Sequence, residues 1–266
     1  MSKDNIRSTG AVLLIGGEGK RLRSLTAQSE TGEVILKPLL PIAGREMVLY
    51  TLDQLKPPVV QHLVFAVHHN ADTVKTWVEN IDLPQRRISY STQNAPGVLD
   101  AITSGATHVT EDSFVTATTD TIRYGLDLQR ALNFHQSSGR LATMVAGYTN
   151  NLSREMLLTV NDTNGLVTRT EEYPSRYTNK PDEYGSVHTG FVILDQGALE
   201  FFDPAHDPGM NGVIDPLRDA NQLGAFVDPN IVYFNVNTPN QYKEAEVYLA
   251  AQVVSKRSEY SNVAFI

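Results

Sequence analysis

Cysteine is absent from the 266 residues, which excludes a disulfide framework and any metal site built on thiolate. No apolar run approaches the ~20 residues that a membrane span needs, so no membrane partner is expected. The first ten residues, MSKDNIRSTG, lack the apolar core of a signal peptide, and the expectation is a cytoplasmic protein. Positive charge is in deficit: 22 Lys and Arg stand against 30 Asp and Glu, a formal net charge of −8. That balance repels polyanions, and with no basic stripe along the chain no nucleic-acid partner is expected. Low-complexity tracts, internal repeats and a Pro/Gly/Ser-rich linker are missing too. Residues 1–266 therefore read as a single domain, large enough for a substantial core. Whether copies associate into a homo-oligomer stays open.

What is present begins with AVLLIGGEGKRLRSLT, followed by LKPLLPI. Ala11 to Ile15 is an apolar run stopped by Gly16 and Gly17, the pattern of a buried strand opening into a tight loop. Glycines let the main chain approach a ligand, and successive inward N–H groups attract anions. Lys20, Arg21 and Arg23 add positive charge, so the unit suits a nucleoside triphosphate. Two other glycine loops are excluded. A dinucleotide fingerprint needs glycine at position 22, where Leu22 stands; a P-loop needs glycine at 14 and a hydroxyl at 21, where Leu14 and Arg21 stand. The loop taken alone also reads as a surface turn.

Strand and helix signals alternate through the first half. Strands are expected at 11–15, 62–67, 88–92 and 114–118, and helices at 46–56, at 98–108, at 126–136 and after Asn70 as a capping residue. Such alternation predicts an α/β fold with a mainly parallel sheet covered on both faces. From Leu141 the pattern changes to strands at 141–148, 155–160 and 166–171, the last two joined by a turn at NDTNG: an antiparallel excursion. A core strand at 186–194, short helical stretches near 198–202 and 216–222, and a closing helix from Gln241 complete the expectation. Residues 11–140 form a nucleotide-binding half, 141–240 an acceptor-binding half, and 241–266 a closing helix and tail.

The segment Gly16, Gly17, Gly19, Arg21, Leu22, with Leu25-Thr26 and Lys37-Pro38-Leu39, Pro41-Ile42 downstream, resembles the signature of the sugar-1-phosphate nucleotidylyltransferases, close to glucose-1-phosphate thymidylyl- and uridylyltransferases. Ser24 replaces the usual proline, and AQSETGEVIL is longer than the corresponding link. The resemblance implies a Rossmann-like three-layer α/β/α nucleotide-diphospho-sugar transferase fold. It also assigns roles: Arg21 on the leaving phosphates, Lys37 bridging acceptor and α-phosphate, Gln93 and Gly97 reading the base, with UTP or dTTP weakly favoured. Mg²⁺ is implied on Asp120, which follows the strand FVTATT, and on Asn235 of NVNTPNQY, where the family commonly has aspartate. On the acceptor side it implies Glu172 on sugar hydroxyls and Gly190 beside the sugar. Tyr173 stands where the family's phosphate-binding lysine should be, so Arg176, Arg169 or Lys180 is expected to hold the acceptor phosphate, Arg176 by preference. Some relatives carry a left-handed β-helix domain after this point; only a short tail follows here, so acyl transfer is not expected.

His188, and the pair His68-His69, read as structural rather than as ligands. The reaction implied is transfer of a nucleotidyl group to a sugar 1-phosphate with release of pyrophosphate. Two alternatives stand beside it: a non-sugar phosphate or phosphonate acceptor, which Tyr173 favours, and a catalytically silent nucleotide sensor, which Tyr173 and Asn235 favour.

Overall fold

The computed structural model describes residues 9–17, 19–26, 35–68, 70–84, 86–149, 151–178 and 182–261, without the side chains of residue 20 and of 253–261. His69, Lys180, most of the long link after Thr26 and the last five residues lie outside the described residues. The strands in chain order are β1 (Thr9–Leu14), β2 (Pro41–Ile42), β3 (Arg45–Glu46), β4 (Val60–Val67), β5 (Arg87–Thr92), β6 (Ser113–Thr118), β7 (Thr121–Tyr124), β8 (Ala142–Thr149), β9 (Met156–Val160), β10 (Val167–Glu172), β11 (Gly185–Asp195), β12 (Leu223–Val227) and β13 (Val232–Asn235).

Four of them, in the order β5-β4-β1-β6, are parallel, and β11 joins the edge of β6 antiparallel. The antiparallel excursion expected after Leu141 extends the same nine-stranded sheet: β8 and β9 both pair with β11, β10 with β9, and β12 with β8. Period-two alternation sends successive side chains of β1 to opposite faces. Val12 belongs to one core cluster with Leu99 and Ile102 of the helix Val98–Ala106 and Val213 and Leu217 of Asn211–Asp219. Ala11 and Leu13 belong to another, with Val74 and Val78 of Ala71–Asn80 and Leu128 and Leu132 of Leu128–Ser138. Helices thus cover both faces, the three-layer arrangement.

Several local expectations change. The helix begun at Glu46 runs only from Met47 to Leu52, because Arg45 and Glu46 are held in a ladder with Pro41 and Ile42 and Arg45 is tied to Asp53 at 2.7 Å. Asn70 precedes its helix in a left-handed conformation and makes no side-chain cap. The stretches near 198–202 and 216–222 are a 3₁₀ turn, Gln196–Phe201, and the helix Asn211–Asp219, followed by the unforeseen strand β12. Also unforeseen is a two-stranded ladder of β7 with β13, which pairs Thr121 with Asn235. A third apolar cluster, Leu22, Ile42, Met47, Ile122, Val236, Ala245 and Leu249, joins this ladder to the helix Pro239–Ser261.

Candidate nucleotide-binding site

The carboxyl ends of β1, β4, β5 and β6 open into a cavity of about 420 Å³, where an open α/β sheet is expected to bind ligands. Gly16, Gly17, Gly19, Arg21, Lys37, Gln93, Gly97 and Asp120 all line it. Each glycine has its own reason. A Cβ at Gly16 would lie 2.5 Å from Gln93 Oε1, and one at Gly19, whose φ is +60°, would lie 2.8 Å from Lys37 Cβ. Gly17 faces open space, leaving its backbone accessible to an incoming anion.

Lys37 is buried at the start of a 3₁₀ turn, Lys37–Leu39, and donates from Nζ to Asp120 Oδ2 at 2.8 Å and to Asn237 Oδ1 at 2.7 Å. Arg21 Nη2 reaches the same Asn237 oxygen at 3.3 Å. Burial opposes ionisation of Asp120, but the charges of Lys37 and Arg123 outweigh it and hold the carboxyl below its ordinary range. Two cations and one carboxylate thus converge at the strand ends, with Asn237 as their shared acceptor.

Gln93 donates from Nε2 to the Gly97 carbonyl at 2.9 Å, which closes the loop QNAPG into a wall. At Gly97, φ is +136° and a Cβ would meet the Pro208 carbonyl oxygen at 2.4 Å, so only glycine fits. Asn235 does not line the cavity, yet it is brought beside Asp120: Val236 N–H donates to the Asp120 carbonyl at 2.9 Å, and the Asn235 amide contacts that of Asn237. The chain chemistry that follows explains why these asparagines hold their place. Gln241 N–H donates to Thr238 Oγ1 at 3.3 Å, while Gln241 Oε1 accepts from Thr238 Oγ1 at 3.1 Å and from Asn237 N–H at 3.0 Å, with Pro239 in the first helical turn. This is a capping-box arrangement whose acceptor reaches one residue further back.

The acceptor-side residues are scattered. Glu172, at the end of β10, is exposed and outside the cavity lining; partial burial and the nearby Asp207 push its carboxyl up. Arg176 does not enter the cavity: it pairs with Glu171 and lies over the Tyr177 ring, and Arg169 also pairs with Glu171, at 3.1 Å. Charge within this local segment is satisfied by its own neighbours. Tyr173 is 58% exposed with φ of 46°. The reason for Gly190 is internal, since at φ +82° a Cβ would fall 2.2 Å from Thr118 Oγ1 and 2.3 Å from Arg123 Nη2. His188 is structural in character: neither ring nitrogen has a hydrogen-bond partner of good geometry, and burial, with help from Arg123, lowers its pKa to about 3.

A family model described as Nucleotidyl transferase matches residues 10–229, a span that holds the glycine loop, Lys37 and Asp120. The chain belongs to this family. Among curated relatives of this family member are a bifunctional IPC transferase and DIPP synthase of Aquifex aeolicus, 24% identical over 92% of the chain and 52% of the relative. A mannose-1-phosphate guanylyltransferase 1 of Arabidopsis thaliana is 22% identical over 87% and 62%. A UTP--glucose-1-phosphate uridylyltransferase of a Synechocystis strain is 22% identical over 85% and 57%. The chain therefore spans between half and two thirds of the length of these relatives. Among solved structures, a UTP-bound UGPase of Acinetobacter baumannii superposes with a TM-score of 0.74 at 15% identity, covering 97% of this chain and 99% of that one. HddC of Yersinia pseudotuberculosis gives 0.69 at 20% identity, covering 91% and 99%. At these identities the likeness is one of fold.

Two residues of this family member escaped the sequence reading. Arg123 is 2% exposed and donates to the Thr189 carbonyl at 2.5 Å, the Thr121 carbonyl at 2.7 Å and Thr118 Oγ1 at 3.0 Å, with its guanidinium 4.1 Å from the Phe191 ring centre. Burial lowers its pKa to about 9 and Asp120 opposes the shift, so it stays charged at neutral pH. Glu155 is 6% exposed and accepts from Asn235 Nδ2 at 3.4 Å. Burial raises its pKa to about 7, the Asn235 amide opposes this, and the charge of Asp120 adds to it. For the magnesium that the resemblance implies, Asp120 on the cavity wall and Asn235 just outside it offer oxygen donors of the hard kind that this ion takes, Asp120 Oδ2 now accepting from Lys37 and Asn235 Oδ1 from Asn237. Among the described residues no group of three or more His, Cys, Asp or Glu could hold a metal, so substrate phosphates would have to complete its shell. The donor set fits on those terms.

Proposed function

We propose that this chain transfers a nucleotidyl group from a nucleoside triphosphate to a phosphorylated small molecule, a sugar 1-phosphate in the first instance, releasing pyrophosphate. The observation that carries the reading is Lys37, buried, held between Asp120 and Asn237 and facing a glycine loop at the ends of four parallel strands. An oxygen of the acceptor phosphate attacks the α-phosphorus, the bond from that phosphorus to the bridging oxygen breaks, and pyrophosphate leaves in line. The attacking phosphate monoester is already mostly ionised near neutral pH, since its second pKa is about 6, and no general base is needed. Catalysis is then positioning and charge neutralisation: Arg21 on the β- and γ-phosphates, Lys37 between acceptor and α-phosphate. Mg²⁺ held by Asp120 and Asn235 would neutralise phosphate charge. The Gln93 amide and the Gly97 backbone suit the imide edge of uracil or thymine, which favours UTP or dTTP.

A second reading keeps the chemistry and changes the acceptor to a non-sugar phosphate or phosphonate. Tyr173 in place of the lysine, and the engagement of Arg169 and Arg176 by Glu171, favour it. Pyrophosphate release, measured for each common NTP against a panel of sugar 1-phosphates, non-sugar phosphate monoesters and phosphonates, tests both. Release with a sugar 1-phosphate supports the first, release only with the other acceptors supports the second, and release with none rejects the proposal.

A further inference from the structure

Across the β7–β13 ladder Asn235 pairs with Thr121, the residue after Asp120, and as a neutral carboxamide it leaves Asp120 and Asn235 together with one negative charge to offer a divalent cation instead of two. We infer that Glu155 brings the second charge up behind Asn235, acting as a positioning residue that holds the amide nitrogen and turns the amide oxygen to the side where a cation would bind. The inference rests on the metal-binding part of the function proposed above. Three observations carry it.

The first is orientation. Asn235 donates from Nδ2 to Glu155 Oε2 at 3.4 Å, so its other end, Oδ1, points away from Glu155 and accepts from Nδ2 of Asn237, which lines the cavity, with a second lone pair left for a cation. A carboxylate behind a metal ligand fixes the ligand's orientation and raises its affinity for the ion. The second is burial. Glu155 is 6% exposed and its hydrogen-bond donor is a neutral amide; burial and the charge of Asp120 oppose its ionised form, while the charge of Arg154 favours it. A divalent cation held on the far side of Asn235 would add to Arg154 in favouring that charge. The third is rigidity. The Glu155 carbonyl accepts the Tyr173 N–H at 3.0 Å, which ties the residue to the end of β10, while β13 fixes Asn235 from the other side. The carboxylate is therefore held on two framework elements and not on a free loop.

The test is binding of Mn²⁺ alone to the full chain, read from the electron paramagnetic resonance signal of the free ion, with folding of every variant checked by circular dichroism. The unmodified chain should bind, Asp120→Asn should lose binding, and Glu155→Gln should weaken it about 10–100-fold, the usual cost of removing an outer-shell partner. In Asn235→Asp/Glu155→Gln, where the charge returns at the ligand position, binding should recover to near that of the unmodified chain. Recovery is the readout that a merely structural Glu155 would not give. Glu155→Gln binding like the unmodified chain while Asp120→Asn has lost binding overturns this inference and leaves the metal site standing, as does a double variant that fails to recover. Absence of binding in the unmodified chain, or unchanged binding in Asp120→Asn, overturns the metal-site reading itself.

Discussion

Replacing Gly190 by alanine is expected to damage the site from beneath, through Arg123. At φ +82° the new Cβ would sit 2.2 Å from Thr118 Oγ1 and 2.3 Å from Arg123 Nη2, the two atoms of an existing 3.0 Å hydrogen bond. Neither atom is the free end of an exposed side chain: Arg123 is 2% exposed, and its guanidinium also holds the Thr189 and Thr121 carbonyls. A left-handed conformation costs an L residue about 1–2 kcal/mol, and forced overpacking about 1–3 kcal/mol, so the sum is about 2–5 kcal/mol. At about 2–4 °C per kcal/mol for a domain of this size class, calorimetry should show Tm falling by about 4–20 °C. Removing the hydroxyl that clashes should return part of this, so Gly190→Ala/Thr118→Ala should be less destabilised than the two single losses added, with a coupling of about 0.5–3 kcal/mol. A Tm within about 1 °C of the parent, or losses that simply add, would refute the packing argument.

Other outcomes follow from the same geometry. Lys37→Met should lower turnover about 10²–10³-fold while the chain stays folded, because it removes a preorganised charge at the reacting phosphates; initial rates of pyrophosphate release check this, and unchanged rates would contradict it. Gly97→Ala, with a Cβ 2.4 Å from the Pro208 carbonyl oxygen, should raise the KM for NTP, since the wall made with Gln93 must shift; an unchanged KM counts against the base-reading loop. His188 makes stability fall with acid: its folded pKa of about 3 lies below the unfolded 6.5, so the unfolded chain takes up the proton first, and stability present above pH 6.5 is lost as pH falls toward 3. Between pH 7 and 5 this amounts to about 2 kcal/mol, which urea titrations of the parent and His188→Gln should separate. Thr238→Ala should cost about 1 kcal/mol through loss of the helix cap, read by the same titrations.

The parallel half of the fold was legible because its signals are local. β1 and β4 are apolar runs that end shortly before a glycine or a helix, β5 and β6 are rich in aromatic or β-branched residues, and the residues just past the strand ends, Gly16, Gln93 and Asp120, line the cavity. Lys37 was legible through the motif around it. The ladder of β7 with β13 was not, because TIRY and VYFN are four-residue segments whose pairing spans more than a hundred residues. Arg123 was hidden for a related reason: an arginine next to buried Ile122 in a short segment reads as the exposed alternate, and only the fold supplies the carbonyls and the Phe191 ring that hold it inside. Glu155, beside Arg154 and ahead of an apolar strand, reads as a surface charge until Asn235 is placed against it. Arg176 is the opposite case. Its charge suggested a phosphate, but Glu171, five residues earlier in the chain, satisfies it locally.

The most direct test of the central claim follows the phosphorus atoms of the NTP. With UTP or dTTP labelled at the α-phosphate, and in parallel at the γ-phosphate, incubated with Mg²⁺ and the best acceptor from the panel, α-label should appear in a nucleoside diphosphate linked to the acceptor and γ-label only in pyrophosphate. Gamma-label on the acceptor, or α-label that never leaves the free nucleotide pool, would contradict nucleotidyl transfer.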